Sequence, residues 1–464
     1  MEITFAGAAQ TVTGSQHLLR INGRNLLLEC GLFQGRRADT YAVNRTFPYE
    51  PRSIDAVILS HAHIDHCGNL PNLVRQGYAG SIHATHSTVH LTDLTLRDSG
   101  HIQESDIEYL NKKRARKGLE PVEPLYTAAD AEAASRQLVM QAYGQPFEPV
   151  PGVVARLVDA GHILGSAGVV LELEEKGRRA RLMFSGDIGR LRMPLLRDPV
   201  PPSGVDVLLM ECTYGDKPHP QPEEAAAGLR QVLRRTFERR GKVIVPAFAI
   251  GRTQLLVYTL HEMIDAGELP RVPVYVDSPL ATSATEIFQR HPEDFDEQAI
   301  AFLQNDPHGK LFGFDLLTIT RSVDESKAIN DAKGPLVIIS ASGMAETGRI
   351  LHHLRNNLGD PRNTVLITSW MAPNTLGRRL AEGEKTVRIF GEEYDVRAEV
   401  ASVDGFSAHA GQDYLETYAR ASAGTLKHLY LVHGERQPAQ ALRARLSDLK
   451  FPIDYPERGT RVEI

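Results

Sequence analysis

The sequence predicts an α/β protein in two parts: a layered, strand-rich fold interrupted by a separate α/β domain with a parallel sheet. Three observations carry this. Apolar strand-like runs recur, and each ends in a polar loop that bears His, Asp or Glu. Between about 214 and 390 the texture changes to strand, loop, helix units. After that stretch a strand followed by a ligand-type histidine returns, HLYLV and then His433, so the first fold is discontinuous. The expected division is therefore 1–213 and 391–464 for the outer domain, with 214–390 inserted.

The runs DAVIL (55–59), VVARLV (153–158), ARLMFS (180–185), VDVLLM (205–210) and HLYLV (428–432) read as buried strands. Polar groups just beyond strand ends suit a functional rim, because a rigid sheet fixes loops that must stay accessible. The stretch 91–135 reads as a helical excursion. In the insert, KVIVPAF precedes GRTQLLVYTLHEMI, PLVIIS precedes SGMAETGR and ILHHL, and NTVLITS precedes TLGRRL. Its first helix, near 223–240, gathers Leu229, Val232, Leu233 and Phe237 on one face, which makes Arg230, Arg234, Arg235 and Arg239 its outer face.

Composition narrows the class. With 464 residues, 42% hydrophobic and 24% charged, the chain is long enough for more than one core and is built like an ordinary folded enzyme. The opening MEITFAGAAQ lacks the positive region and long apolar stretch of an export signal, and no apolar run approaches the roughly 18 residues that span a bilayer. Neither export nor a membrane partner is expected. Cys30, Cys67 and Cys212 are three cysteines without a CxxC, which argues against a disulfide framework and for a reducing cytoplasm. A net charge of −6 offers nucleic acid no global attraction, so any such contact must be local. The basic run from Lys112 to Lys117 reads first as the solvated face of a helix.

The strongest signal is SHAHIDHCG directly after DAVIL. Residues two apart in an extended segment face the same way, so His61 and His63 can reach one ion, while Asp65 and His66, after the chain turns, reach a second. Two histidines leave an ion short of ligands. His162 in DAGHILGSAG, Asp187 in FSGDIGR and His433 in LVHGER are candidates, each weak alone and persuasive beside the cluster.

These strings, with ECTYG, GFSAHA, PAFAIGRTQ, ISASGM and TLGR, resemble the metallo-β-lactamase superfamily, specifically its β-CASP branch of nucleic-acid nucleases, over nearly the whole chain. The resemblance implies an αββα metallo-β-lactamase sandwich with an inserted β-CASP domain, its parallel sheet flanked by helices. It implies two Zn²⁺ ions, one on His61, His63 and His162, the other on Asp65, His66 and His433, with Asp187 bridging them. Manganese or iron also suits such a nitrogen and oxygen set. A histidine at the place of His433 goes with RNA-processing members, so single-stranded RNA is the implied partner, with DNA as a variant and an edge-to-edge homodimer as the implied assembly. One residue departs from the pattern: Glu29 in ECGLFQG stands where the family usually has Asp. If that carboxylate orients a ligand, its extra methylene either weakens one metal site or is absorbed by a local shift.

The implied chemistry is phosphodiester hydrolysis. Two ions about 3.5–4 Å apart lower the pKa of a bridging water toward roughly 7, giving hydroxide as nucleophile. Asp65 and Asp187 sit at that centre, His409 is the candidate general acid, and by resemblance Glu211 hydrogen-bonds His409 and favours its charged form. Phosphate grip is expected from strand-to-helix loops of the insert: Gly251 and Arg252, Ser340 to Gly343 with Ser342, Thr375 to Arg378 with Gly377, and Arg349. The alternatives are hydrolysis of a small ester, thioester or lactam on the same metals, a DNA-directed nuclease, and a scaffold that binds RNA without metals. A small substrate needs no insert of this size, and a scaffold should lack ligands that are all present here.

Overall fold

The computed structural model describes residues 1–35, 37–305, 310–372 and 374–464. The chain divides into two compact units: one formed by 1–191, 198–218 and 409–464, the other by 192–197 and 219–408.

The first unit holds two seven-stranded sheets. One runs in the order Arg461–Glu463, Glu2–Phe5, His17–Ile21, Arg24–Leu28, Ala56–Ile58, Ser81–Thr85, Leu138–Gln141. The other runs Ile453–Asp454, His428–Val432, Val207–Glu211, Arg178–Phe184, Ala167–Glu175, Val153–Asp159, Phe147–Val150. Side chains alternate across a strand, and the sequence uses both faces. Leu26 and Leu28 join Ile58, Leu157, Leu171, Phe184, Leu209 and Val432 in a core shared by both sheets. The intervening Leu27 and Val57 face outward onto Leu70, Leu73, Val89 and Leu96 of covering helices. Leu208, Met210, Leu429 and Leu431 likewise pack on Leu415, Tyr418 and Leu442. Helices thus cover both outer faces, the αββα sandwich that the sequence implied.

Strand direction explains why ligand-type residues share a rim. Arg178–Phe184, Val207–Glu211 and His428–Val432 pair in parallel, and Val153–Asp159 runs the same way through two antiparallel steps. Arg24–Leu28 and Ala56–Ile58 are parallel too. In each sheet the strands that precede candidate residues therefore end at the same edge. The excursion is a 30-residue helix, His86–Ala115, followed by Ala128–Ser135. Lys112 pairs with Glu108 on its exposed face and Lys113 lies over the Tyr109 ring, as the solvated reading expects.

The second unit is a six-stranded parallel sheet, ordered Leu317–Ile319, Val274–Val276, Leu336–Ser340, Lys242–Pro246, Thr364–Ile367, Glu399–Ser402. Helix Pro222–Glu238 buries Leu229, Val232, Leu233 and Phe237 as the periodicity predicts. Its arginines are spent within the unit: Arg230 pairs with Glu268, while Arg235 and Arg239 pair with Glu399. Because Glu399–Ser402 is a strand of this sheet, residues 391–408, which the sequence reading gave to the returning segment, run with the insert here. The strand is short and carries Glu399, so it lacks the apolar run that marked the other strands. Among the described residues no helix is long and apolar enough to cross a membrane.

Candidate metal centre

At the rim of the first unit the chain turns from strand Ala56–Ile58 into SHAHIDHCG. His61 and His63 lie on the extended part and Asp65 and His66 on a four-residue helix, Ile64–Cys67. This turn is packed tightly: a β-carbon on Gly31 would sit 1.6 Å from the Asp65 carbonyl oxygen, so only glycine fits there. Likewise Gly189, next to the loop of Asp187, leaves no room for a side chain against Gly161.

Two clusters result. His61 Nε2 and His162 Nε2 lie 3.1 and 3.2 Å from His63 Nδ1, and each is 3.5 Å from Asp187 Oδ2. His66 Nε2 is 3.2 Å from His433 Nε2, which is 3.5 Å from Asp65 Oδ2. Asp187 joins the two, with Oδ2 3.3 Å from His66 and Oδ1 3.4 Å from His433 Nδ1. Each of these imidazole pairs is close enough for an N–H···N hydrogen bond in one tautomer, and equally spaced to share a cation. Tetrahedral coordination at about 2.1 Å sets neighbouring nitrogens about 3.4 Å apart, close to what these rings show. Among the described residues Asp187 Oδ1 is buried with no hydrogen-bond partner, an orphan that a cation would satisfy. The donor set therefore fits a pair of divalent ions.

Charge states divide the histidines: burial opposes charge on His66, but Asp187, Asp65 and Glu29 push its ring well above the usual histidine pKa. Burial holds His61 and His162 well below the usual histidine pKa and His63 down to about 4, which keeps them neutral with lone pairs free. Burial opposes charge on Asp187, yet His433, His66, His409 and His61 around it hold its carboxyl well below the ordinary range.

The surroundings aim these groups. Glu29 accepts from Ser60 N–H at 2.5 Å and from His66 Nδ1–H at 2.9 Å, which turns His66 Nε2 toward the centre. The longer side chain thus reaches both donors. Its backbone is left-handed (φ 68°), as is that of His433 (φ 47°), a conformation costing a residue with a side chain roughly 1–2 kcal/mol. Bonds from Glu29 N–H to the Ile58 carbonyl and from His433 N–H to the Ala8 carbonyl hold both in place.

His409 stands beside this centre, its Nε2 3.8 Å from Asp187 Oδ2 and its ring one-fifth exposed. Its backbone bridges Gly189. Glu211 Oε1 lies 3.0 Å from His409 Nδ1 and also accepts from Ile188 N–H. Burial lowers the His409 pKa, but Glu211 and Asp187 outweigh it and push the ring up to about 9. A charged imidazolium facing the centre can release a proton there.

Sequence reading missed Ser60 and Thr213. Ser60 Oγ is 2.9 Å from His61 Nδ1, and Thr213 Oγ1 is 3.2 Å from His433 Nδ1, so each orients a ring. The only signal for Ser60 was its place beside His61, and for Thr213 its place two residues after Glu211. His17 was missed as well: it is fully buried between Phe5 and Phe184, and burial lowers its pKa to about 3.

The expected phosphate-binding residues of the insert fare differently. Arg349 is held by the carboxylate of Asp277 at 2.7 Å and by the Arg321 carbonyl. Buried Ser340 donates to the Asp277 carbonyl oxygen, and Arg252 bonds the Thr368 carbonyl oxygen. Thr375 caps helix Leu376–Ala381, Gly377 packs against Met371 and Met344, and Arg378 pairs with Glu382. Ser342 and Gly343 sit in the loop after strand Leu336–Ser340, with Gly343 against the Phe248 ring. Most of these groups are committed to the unit's own structure.

Comparison with known proteins adds to this geometry. Residues 11–247 match the metallo-beta-lactamase superfamily, 253–380 the Beta-Casp domain, and 393–456 the Zn-dependent metallo-hydrolase RNA specificity domain. The chain is 37% identical to Ribonuclease TTHA0252 of Thermus thermophilus over 95% of each chain. It is 30% identical to an RNase J-like protein of Methanocaldococcus jannaschii, covering 100% of this chain and 99% of that one. A transcription termination factor FttA from the same archaeon is 28% identical over 94% of this chain and 67% of its own length. A crystal structure of a protein of unknown function from Enterococcus faecalis V583 shares the fold at TM-score 0.57, with 14% identity over 99% of both chains. With its histidine and aspartate cluster, its sandwich and its full-length matches, this chain belongs to the β-CASP branch of the metallo-β-lactamase superfamily and is a metal-dependent hydrolase.

Proposed function

We propose that this protein is a dinuclear, zinc-dependent ribonuclease that hydrolyses phosphodiester bonds of single-stranded RNA in the cytoplasm. The observation that carries the reading is the convergence of six ligands in two groups on Asp187, with a histidine–glutamate pair beside them. His61, His63 and His162 would hold one ion, Asp65, His66 and His433 the other, and Asp187 both. When bound, the ions supply Lewis acidity and bring the pKa of coordinated water toward neutrality. Glu29 and Ser60 keep His66 and His61 oriented, and Thr213 does so for His433. His409, charged through Glu211, delivers a proton to the departing 3′ oxygen, and its Nε2 is the atom that releases it. RNA as substrate rests on the RNA specificity match and on relatives named as ribonucleases. Buried free thiols at Cys30, Cys67 and Cys212 suit a reducing compartment.

The test is incubation of purified, metal-analysed protein with end-labelled single-stranded RNA and matched DNA, each with 5′ phosphate or 5′ hydroxyl. Two metals per chain and RNA ladders are expected, and the ladders give the mode and direction of cutting. Cleavage of nitrocefin or a glutathione thioester with intact RNA would replace this reading.

A further inference from the structure

Five aromatic side chains are strongly exposed among the described residues: Tyr41, Tyr109, Phe248, Trp370 and Phe390. Three are covered by a cation, Tyr41 by Arg45, Tyr109 by Lys113 and Phe390 by Arg355. Among the described residues, no cation or aromatic ring packs on Phe248 or Trp370, which are 42% and 43% exposed. These two stand close in the fold. Phe248 follows strand Lys242–Pro246 and Trp370 follows Thr364–Ile367, neighbours in the parallel sheet. Both rings therefore sit just past carboxyl ends of adjacent strands, the edge where open α/β sheets bind ligands.

Their backbones are anchored while their rings are not. The Phe248 carbonyl accepts from Thr253 N–H and Oγ1, and Gly343 packs against the ring, where a β-carbon would approach to 2.9 Å. Trp370 is flanked by buried Thr368 and Met371, and Ala372 N–H bonds Met344 in the loop that carries Gly343. Leaving about two-fifths of each of two large apolar side chains in water, on a scaffold this well fixed, forgoes burial that repacking would capture. Flat rings on a rigid rim suit a planar aromatic ligand, and every nucleobase offers a π-face.

We infer that Phe248 and Trp370 form a stacking platform that takes unpaired nucleobases of the RNA strand. This rests on the ribonuclease reading above, and it gives the insert a base-binding role where its polar loop residues proved to be internally committed. Binding through stacking tolerates any sequence and requires single strands, since paired bases hide their faces.

Trp370 is the only tryptophan of the chain, so its fluorescence reports the platform directly. Full-length, metal-loaded enzyme is titrated with a phosphorothioate single-stranded RNA, and with the same strand carrying one abasic ribose at each position in turn. Saturable quenching is expected, with one or two abasic positions losing it and binding about tenfold more weakly. Phe248→Leu and Trp370→Leu should each weaken binding about tenfold, with metal content and salt dependence unchanged. If fluorescence anisotropy of a labelled strand shows binding while Trp370 is silent and both variants bind as the parent does, the platform is wrong and the ribonuclease reading stands. A concentration-dependent Trp370 shift without RNA, matched by faster sedimentation, would mean that the rings cover a second copy of the chain and would overturn it. Absence of both binding and RNA cleavage would overturn the ribonuclease reading and the platform together.

Discussion

The rim of the sandwich and the loops of the inserted sheet carry similar numbers of polar residues marked by the sequence, yet the structure uses them in opposite ways. At the sandwich rim, ligand-type nitrogens crowd one another at 3.1 to 3.2 Å, and among the described residues Asp187 Oδ1 is buried with no hydrogen-bond partner. In the insert, Asp277 is fully buried and takes bonds from Arg349, His353, Ser326 and Thr320, so its charge is met in place by a guanidinium and three further donors. Buried polar groups that leave lone pairs unmet are waiting for a ligand, while those that satisfy one another are holding the fold.

Breaking the first region should cost activity. Asp187→Ala removes the group shared by both clusters, and RNA cleavage should fall about 10⁴-fold or more as coordinated water reverts toward its bulk pKa. Metal analysis of the variant should find fewer than two ions per chain. His409→Ala separates proton delivery from metal binding: both ions should remain while turnover drops on the order of 10³-fold. Loss of metal in that variant would make His409 a ligand.

Breaking the second region should cost stability. Asp277→Ala strands Arg349 and His353 and should destabilise by about 3–5 kcal/mol in denaturant unfolding. The salt dependence of RNA binding should not change in Arg349→Ala; a shallower slope would return Arg349 to phosphate contact. Between these extremes lies Glu29→Gln, which keeps the Ser60 bond but weakens the aim of His66. A metal-competition titration should read a loss of about 10–100-fold in affinity.

The smallest effect concerns acid. Although burial pushes the Asp277 carboxyl up, bonds from His353, Ser326, Thr320 and Arg349 hold it well below the ordinary 3.8. A group depressed on folding adds stability that is present above its unfolded pKa and lost as pH falls through the folded one. Unfolding free energy should therefore decline from about pH 5 toward pH 3, and Asp277→Asn should flatten that decline.

The centre was legible because its signal is local. Four ligand types within SHAHIDHCG, at spacings that extended chain and then a turn can aim, need no knowledge of distant partners. The sandwich itself was implied by the resemblance, and continuous apolar runs such as Leu26, Leu27 and Leu28 agree with strands buried on both faces. The bonds of Arg349 and Ser340 to Asp277 were not legible, because that partner lies 72 and 63 residues away in the chain and no local pattern tells a phosphate ligand from a buried ion pair. Ser60 and Thr213 carry only hydroxyls, which are common beside any turn. Phe248 and Trp370 sit in apolar runs, PAFAIG and ITSWMAP, where no local pattern tells an exposed ring from a buried one. Strand Glu399–Ser402 was lost because its alternation is weak and it borders the insert rather than its middle.

Anomalous diffraction from crystals of the metal-loaded protein, recorded above and below the zinc edge, tests the central claim most directly. Two peaks are expected, one bounded by His61, His63 and His162 and the other by Asp65, His66 and His433, with Asp187 touching both. A single peak, a peak elsewhere, or Asp65 and His433 turned away from it would contradict a paired centre.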